Sequence, residues 1–284
     1  MGYSTTSAFM ETLPTGWLNG HLVNTLQPLI MAADSGLGRA YAVFDFFRVY
    51  RQRPLFMQAH LQRLNASASY MHLNIAYSDD VLQEAVIQLI KANAVSSGAI
   101  KIIITGGNSA DGYSPATPNV LITAHSIAPM PHLLPNGVSA ITYDYHKPFA
   151  QVKTTNYSMG IWLLPYLKEH NAAEVIYTHK GQVLETPRSN IFIVNNEGHL
   201  ITPYKEVLHG ITRGHVLKLA SAFMPVAERA VTTEELLTAK EVFITSTTKR
   251  LLPLTCINGQ YICKGTPGPV SKLLFEQLLM LDDA

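Results

Sequence analysis

Cysteine is scarce: the 284 residues contain two, Cys256 and Cys263. Their placement matches no zinc-ligand spacing and no disulfide framework, and such usage points to a reducing compartment, the cytoplasm. A charge excess is lacking too. Lys and Arg number 21 against 20 Asp and Glu, a formal net charge of +1, which argues against the basic footprint of a nucleic-acid partner. No apolar run reaches the length that spans a bilayer, so no membrane association is expected. The opening "MGYSTTSAFMETLPTG" has no basic region followed by an apolar stretch, so no secretory leader is expected. "MGYSTT" fits the short myristoylation pattern, a match that chance produces readily. The 11 histidines include no HExxH pair, so no metal site is expected. Internal repeats and low-complexity segments are also missing.

What is present is a globular composition, 47% hydrophobic and 14% charged, able to bury a real core. At about 150 residues per domain, the length predicts one large or two modest domains. In the first half, "GWLNGHLV" and "AYAVFDFFRVYRQRP" read as strands. "HLQRLNASASYMHL" has apolar residues at 61, 64, 68, 71 and 73, a helical spacing. "DDVLQEAVIQLIKANA" is the clearest helix, with Asp79 or Asp80 as N-cap. "AIKIIIT" and "NVLITAHSI" are β-like. "APMPHLLPNG" then concentrates three prolines and marks a domain boundary. The expected division is 1–128, a linker at 129–137, and 138–284.

The second half reads as short strands with inserted helices. "YSMGIWLLPYLKEHNA" is a helix that Pro165 breaks or kinks. "TRGHVLKLASAFM" is a helix after Gly210, Thr232 with Glu235 forms a capping box, and "PVSKLLFEQLLML" closes the chain.

Three features carry chemistry. "AQVKTTNYSMG" sets Lys153 among small polar residues, four before Tyr157. "LETPRSNIFIV" puts Glu185 and Arg188 at strand ends. "HGITRGHVLKLA" and "ITSTTKR" offer a helix start and a hydroxyl cluster, and a helix N-terminus is a natural phosphate seat. Each alone reads equally as a surface lysine, a loop carboxylate or an ordinary cap. Together they are the parts of a pyridoxal phosphate site: a Schiff-base lysine, a carboxylate for the pyridinium nitrogen and a phosphate cradle. "GLGRAYA" nearly matches the dinucleotide fingerprint, but a strand-like aromatic run follows it rather than a helix, so it reads as a flexible turn.

Taken in order, "WLNGHLV", "FDFFRVY", "HLQRLNAS", "VKTTNY", "LETPRSNIFIV", "HGITRGHVLKLA" and "EVFITSTTKRLLPL" resemble the class IV (fold type IV) aminotransferases. These pyridoxal-phosphate enzymes include branched-chain aminotransferases, D-amino acid aminotransferases and aminodeoxychorismate lyases. The resemblance implies an α/β (α+β) fold of two domains, a small N-terminal α/β domain and a larger C-terminal one that binds the cofactor. It also implies a homodimer. It makes Lys153 the Schiff-base lysine and α-proton base, Tyr157 a contact of the cofactor's phenolic oxygen, and Glu185 the partner of the ring nitrogen. Arg63, Ile211, Thr212, Ser246 and Thr247 become phosphate ligands. The implied reaction is ping-pong transfer of an amino group from an amino acid to a 2-oxo acid such as 2-oxoglutarate.

The sequence departs from its relatives where substrate is chosen. D-amino acid enzymes place an Arg and a His in the loop after "IIIT"; here "GGNSADGYSP" has neither, and Asp111 lies where an arginine is expected. Arg39 and Arg188 appear where the common pattern has none, either as solvated loop residues or as ligands of substrate carboxylates. Phe44, Phe46 and Arg48 alternate along one strand and so share a face, expected to be the pocket face. This set favours D-glutamate or D-alanine. Branched-chain L-amino acid transamination is the close alternative, and aminodeoxychorismate cleavage or a cofactor-binding regulatory role follow.

Overall fold

The computed structural model describes residues 10–283. The leader and myristoylation readings of the first residues lie outside the described residues. The chain forms two units: the first runs to Pro129 and takes back Val152–Asn156, and the second holds Met130–Gln151 and the chain from Tyr157 onward.

The first unit contains β1 (Met10–Leu18), β2 (His21–Asn24), α1 (Ser35–Arg39), β3 (Ala42–Tyr50), β4 (Arg53–Pro54), α2 (Met57–Tyr70), α3 (Asp79–Ala92), β5 (Ser97–Thr105) and β6 (Val120–Ile127). Its sheet has the order β2-β1-β6-β5-β3-β4. Side chains alternate across each strand, so β3 sends Val43, Asp45, Phe47 and Val49 to one face and Phe44, Phe46 and Arg48 to the other. Val43, Phe47, Ile100, Ile102, Ile104 and Ile122 build a core with Leu61 and Leu64 of α2 and Leu82, Val86 and Leu89 of α3. On α2 the buried positions are His60, Leu61, Leu64, Ser67 and Ala68, a single stripe at helical spacing.

Two local expectations are corrected. "GLGRAYA" is not a flexible turn: Ser35–Arg39 is a short helix. Buried Asp34 caps it by accepting from the Gly36 N–H, and also takes bonds from Thr105 Oγ1 and Asn119 Nδ2. The cap of α3 is Ser78, whose Oγ accepts from the Val81 N–H; Asp79 and Asp80 stand in the first turn, where their charge suits the helix dipole.

Val152–Asn156 clusters with the first unit because it is zipped to β3. The Phe44 N–H donates to the Lys153 carbonyl, the Thr155 N–H donates to the Ala42 carbonyl, and Val43 bridges Thr154. Val152 is buried in the first unit's core.

The second unit contains β7 (Val138–Asp144), α4 (Ser158–Trp162), α5 (Leu164–Glu169), β8 (Glu174–His179), β9 (Gln182–Val183), β10 (Asn190–Val194), β11 (Leu200–Thr202) and α6 (Ile211–Ala220). It continues with β12 (Val226–Glu228), β13 (Val231–Thr232), α7 (Thr233–Thr238), β14 (Glu241–Ser246), β15 (Arg250–Ile257), β16 (Gln260–Tyr261) and α8 (Pro269–Asp283). The strand order is β12-β11-β10-β14-β15-β7-β8-β9-β13, with β16 on β15. β10 and β14 are buried on both faces, which explains the unbroken apolar runs "NIFIV" and "VFIT". Phe192 and Phe243 pack with α6 and α8, while Ile191, Ile193, Val242 and Ile244 pack with Leu236 of α7. The predicted helix at 157–172 is broken at Leu163, with Pro165 in the first turn of α5. The capping box of Thr232 and Glu235 forms at α7. Among the described residues no helix is long and apolar enough to cross a membrane.

Candidate active site

In the first unit, the zipped segment fixes Lys153 beside β3. Its N–H lies 3.4 Å from Ser67 Oγ, and its Nζ stands 4.6 Å from the centre of the Phe44 ring. Lys101 Nζ approaches the same ring at 5.2 Å. Both distances are within the range of a cation–π contact. Lys101 is paired with Phe46 across the β3–β5 ladder and with Thr123 across β5–β6, so these residues share the Phe44 face. His125 lies on that face too. Its Nδ1 contacts Thr12 Oγ1 at 3.3 Å, its Nε2 contacts Thr123 Oγ1 at 2.8 Å, and its ring tilts against Phe46. Burial, followed by the charge of Lys101, lowers the His125 pKa to about 4. Burial also lowers the pKa of Lys101. Arg48 is buried on this strand, while Phe44 and Phe46 are half-buried.

On the opposite face, Asp45 is buried and collects donors from α2. Arg63 Nε donates to Oδ2 at 2.9 Å and Arg63 Nη2 to Oδ1 at 2.8 Å; His60 Nδ1 is 2.7 Å from Oδ1. The Phe46 N–H adds a bond to Oδ1. Burial raises the Asp45 pKa, but the charge of Arg63 and the hydrogen bonds from His60 and Arg63 outweigh it and hold the carboxyl well below the usual range. Burial lowers the pKa of His60, against the opposing pull of Asp45.

The second unit brings a buried carboxylate together with the start of α6. Glu185 is buried. Its Oε1 accepts from Lys147 Nζ at 2.6 Å; its Oε2 accepts from the Leu208 N–H at 3.0 Å and from Asn190 Nδ2 at 3.4 Å. Asn190 also donates to the Leu208 carbonyl at 2.6 Å. The carboxylate is therefore tied to the segment that delivers α6. Gly210, the N-cap of α6, provides no side-chain cap, so the N–H groups of Ile211 and Thr212 open the helix without a side-chain acceptor. A Cβ on Gly210 would stand 2.2 Å from Asn190 Oδ1. Ser246 ends β14 and Thr247 opens the turn that follows, with Ser246 Oγ accepting from the Lys249 N–H. The hydroxyl of Thr245, the cross-strand partner of Asn190, is buried with no hydrogen-bond partner among the described residues. Tyr157 caps α4 and, with Glu185, acts electrostatically on Tyr177, whose buried hydroxyl is pushed above its ordinary pKa first by burial and then by these neighbours and Tyr145.

Arg39 and Arg188 are exposed, and Arg39 Nη1 donates to the Gly38 carbonyl. Asp111 is exposed and engaged within its own loop, accepting from Ser109 Oγ, the N–H groups of Tyr113 and Ser114, and Ser114 Oγ. Sequence reasoning missed Asp45, Lys101, His125 and Lys147. A charged residue inside an otherwise apolar strand, as in "VFDFF" and "AIKIII", was the available signal for the first two.

The family model for amino-transferases of class IV matches residues 42–257. The chain is 30% identical to a D-alanine aminotransferase of Bacillus licheniformis over 262 residues, 89% of this chain and 92% of that one. It is also 30% identical to a putative branched-chain-amino-acid aminotransferase of Methanocaldococcus jannaschii over 274 residues, 92% and 94% of the two chains. The branched-chain aminotransferase structure of Escherichia coli superposes with a TM-score of 0.86 at 26% identity, covering 95% of this chain and 94% of that one. Other solved structures of this fold hold pyridoxal phosphate or a phosphopyridoxyl–glutamate adduct. Within the second unit the chemistry fits that cofactor: a buried carboxylate tied to a helix start with no side-chain cap, and a buried hydroxyl with no hydrogen-bond partner among the described residues. With the family model covering most of its length, this chain belongs to the class IV aminotransferases, enzymes that use pyridoxal phosphate to move an amino group between an amino acid and a 2-oxo acid.

Proposed function

We propose that this enzyme transaminates a D-amino acid, D-glutamate or D-alanine, with a 2-oxo acid such as 2-oxoglutarate as partner, by ping-pong chemistry. Bound pyridoxal phosphate supplies an electron sink for the bond that breaks at the substrate α-carbon. Lys153 Nζ would hold the cofactor covalently, and its amine would serve as the base for the substrate α-proton. Glu185 would favour a protonated ring nitrogen, and Tyr157 would meet the phenolic oxygen. Arg63, the N–H groups of Ile211 and Thr212, and Ser246 with Thr247 would take the phosphate. Phe44, Phe46 and Arg48 line the substrate side, with Arg39 and Arg188 available to carboxylates. The enzyme acts in the cytoplasm as a homodimer, a state that light scattering tests directly.

The observation that carries the substrate reading is the pair of ammonium groups on one ring, Lys153 and Lys101 against Phe44. A half-buried cation beside the reactive lysine favours a substrate with a carboxylate to meet it. The relatives named D-alanine aminotransferases support the D-configuration. The apolar Phe44 and Phe46, with the branched-chain relative, keep branched-chain L-amino acids as the second reading.

A half-reaction screen tests both. Each D- or L-amino acid is mixed with holoenzyme, and loss of the visible cofactor band is followed. Conversion by D-glutamate or D-alanine is expected; conversion by L-leucine alone refutes the D-reading. Pyruvate release without an amino acceptor points instead to lyase chemistry. Lys153→Ala is expected to abolish turnover and borohydride labelling at that position.

A further inference from the structure

We propose that Asp45 is a positioning residue that aims Arg63 at the cofactor phosphate, an inference that rests on the phosphate role given to Arg63 above. An arginine carries its five N–H donors on a rigid planar fork. Asp45 takes the side edge of that fork, one bond from Nε and one from Nη2. The outer edge, formed by Nη1 and the second hydrogen of Nη2, points away from the carboxylate and matches two phosphate oxygens. The Arg63 side chain keeps 13% exposure while Asp45 keeps 1%, so the carboxylate is enclosed whereas the arginine it grips is not.

The grip is firm from both sides. Asp45 is itself fixed by His60 Nδ1 and by the Phe46 N–H, so the carboxylate cannot rotate without breaking those bonds. Its strand neighbours on the same face are Val43, Phe47 and Val49, all core residues. A buried ion pair in such surroundings is seldom worth more than a well-packed apolar pair. Orientation of a functional arginine is a physical reason for retaining it.

Apo-enzyme titrations with pyridoxal 5′-phosphate and with pyridoxal, which lacks the phosphate, isolate this role by binding alone. The parent is expected to prefer the phosphorylated form. Asp45→Asn is expected to reduce affinity for that form about tenfold or more while leaving pyridoxal affinity unchanged. Arg63→Gln is expected to do the same, and the double variant to lose no more than Arg63→Gln alone. Arg63→Gln losing the preference while Asp45→Asn retains it overturns the positioning role and leaves the phosphate role of Arg63 standing. Arg63→Gln retaining the preference overturns both. If Asp45→Asn yields no folded protein, Arg63→Lys carries the test. It keeps the cation but cannot be gripped along one edge while presenting another. Loss of the phosphate preference is expected, and full retention overturns the inference.

Discussion

Replacing Lys101 with methionine should weaken substrate recognition while strengthening the fold. Among the described residues, Lys147 and Lys249 have ion-pair partners, but Lys101 has none. A buried polar group short of partners costs about 1–3 kcal/mol. The Phe44 ring, 5.2 Å away, returns about 0.5–1 kcal/mol. Methionine keeps the stem packing, so the variant should be more stable by about 1 kcal/mol at pH 7. The gain depends on pH in a defined sense. Burial lowers the folded pKa of Lys101 below the model-compound value of 10.5. Between the two values the unfolded chain binds more protons, so parental stability rises with pH there and the advantage of methionine shrinks. Binding should move oppositely. Loss of one charge-assisted hydrogen bond, about 1.5–3 kcal/mol, predicts about a tenfold to hundredfold fall in kcat/KM for D-glutamate. Urea unfolding at pH 7 and pH 10, with initial rates on D-glutamate and D-alanine, reads both quantities. A less stable variant with unchanged D-glutamate kinetics would refute the reasoning.

His125→Gln should flatten the acid limb of stability. The folded pKa of His125 is lowered to about 4 from 6.5, so parental stability falls as pH drops through that window; after solvent screening the effect is about 1–2 kcal/mol, measurable by urea melts at pH 4 and 7. Glu241→Ala should lower the melting temperature, at a cost of about 2–4 kcal/mol, because its carboxylate accepts from the N–H groups of Val270 and Ser271 and from Ser271 Oγ at the start of α8. Gly210→Ala should weaken pyridoxal phosphate binding about tenfold and lower the melting temperature as well: the backbone φ of −67° tolerates alanine, but the new Cβ displaces buried Asn190 from the Leu208 carbonyl and Glu185.

Periodicity and capping chemistry are local, and the elements they govern were legible. α2 and the buried face of β3 follow from spacing, and α7 follows from Thr232 and Glu235. The family order of segments is what singled out Lys153 and Glu185 as candidates. The failures have a common physical origin in long-range partners. "GLGRAYA" lacks a helix signal of its own, because the partners that fix Asp34, Thr105 and Asn119, lie far along the chain. At α3 two acids invited a cap assignment, yet the hydroxyl one residue earlier had the extended backbone a cap requires. The "VKTTNY" segment falls inside the expected 138–284 division, whereas backbone pairing with β3 joins it to the first unit. Lys147 carries no sequence pattern at all; its relation to Glu185 exists through folding alone.

The return of Val152–Asn156 to the first unit also constrains biosynthesis. A nascent chain released as far as Pro129 has every strand of the first sheet but lacks Val152 from its core and the pairing that covers the start of β3. Completion of that unit must wait until the ribosome has delivered much of the following strand and loop, a non-local closure of the kind that slows folding. Lys153 therefore reaches its place in the same event that seals the N-terminal core, so an incompletely folded nascent chain does not yet present it in its native setting.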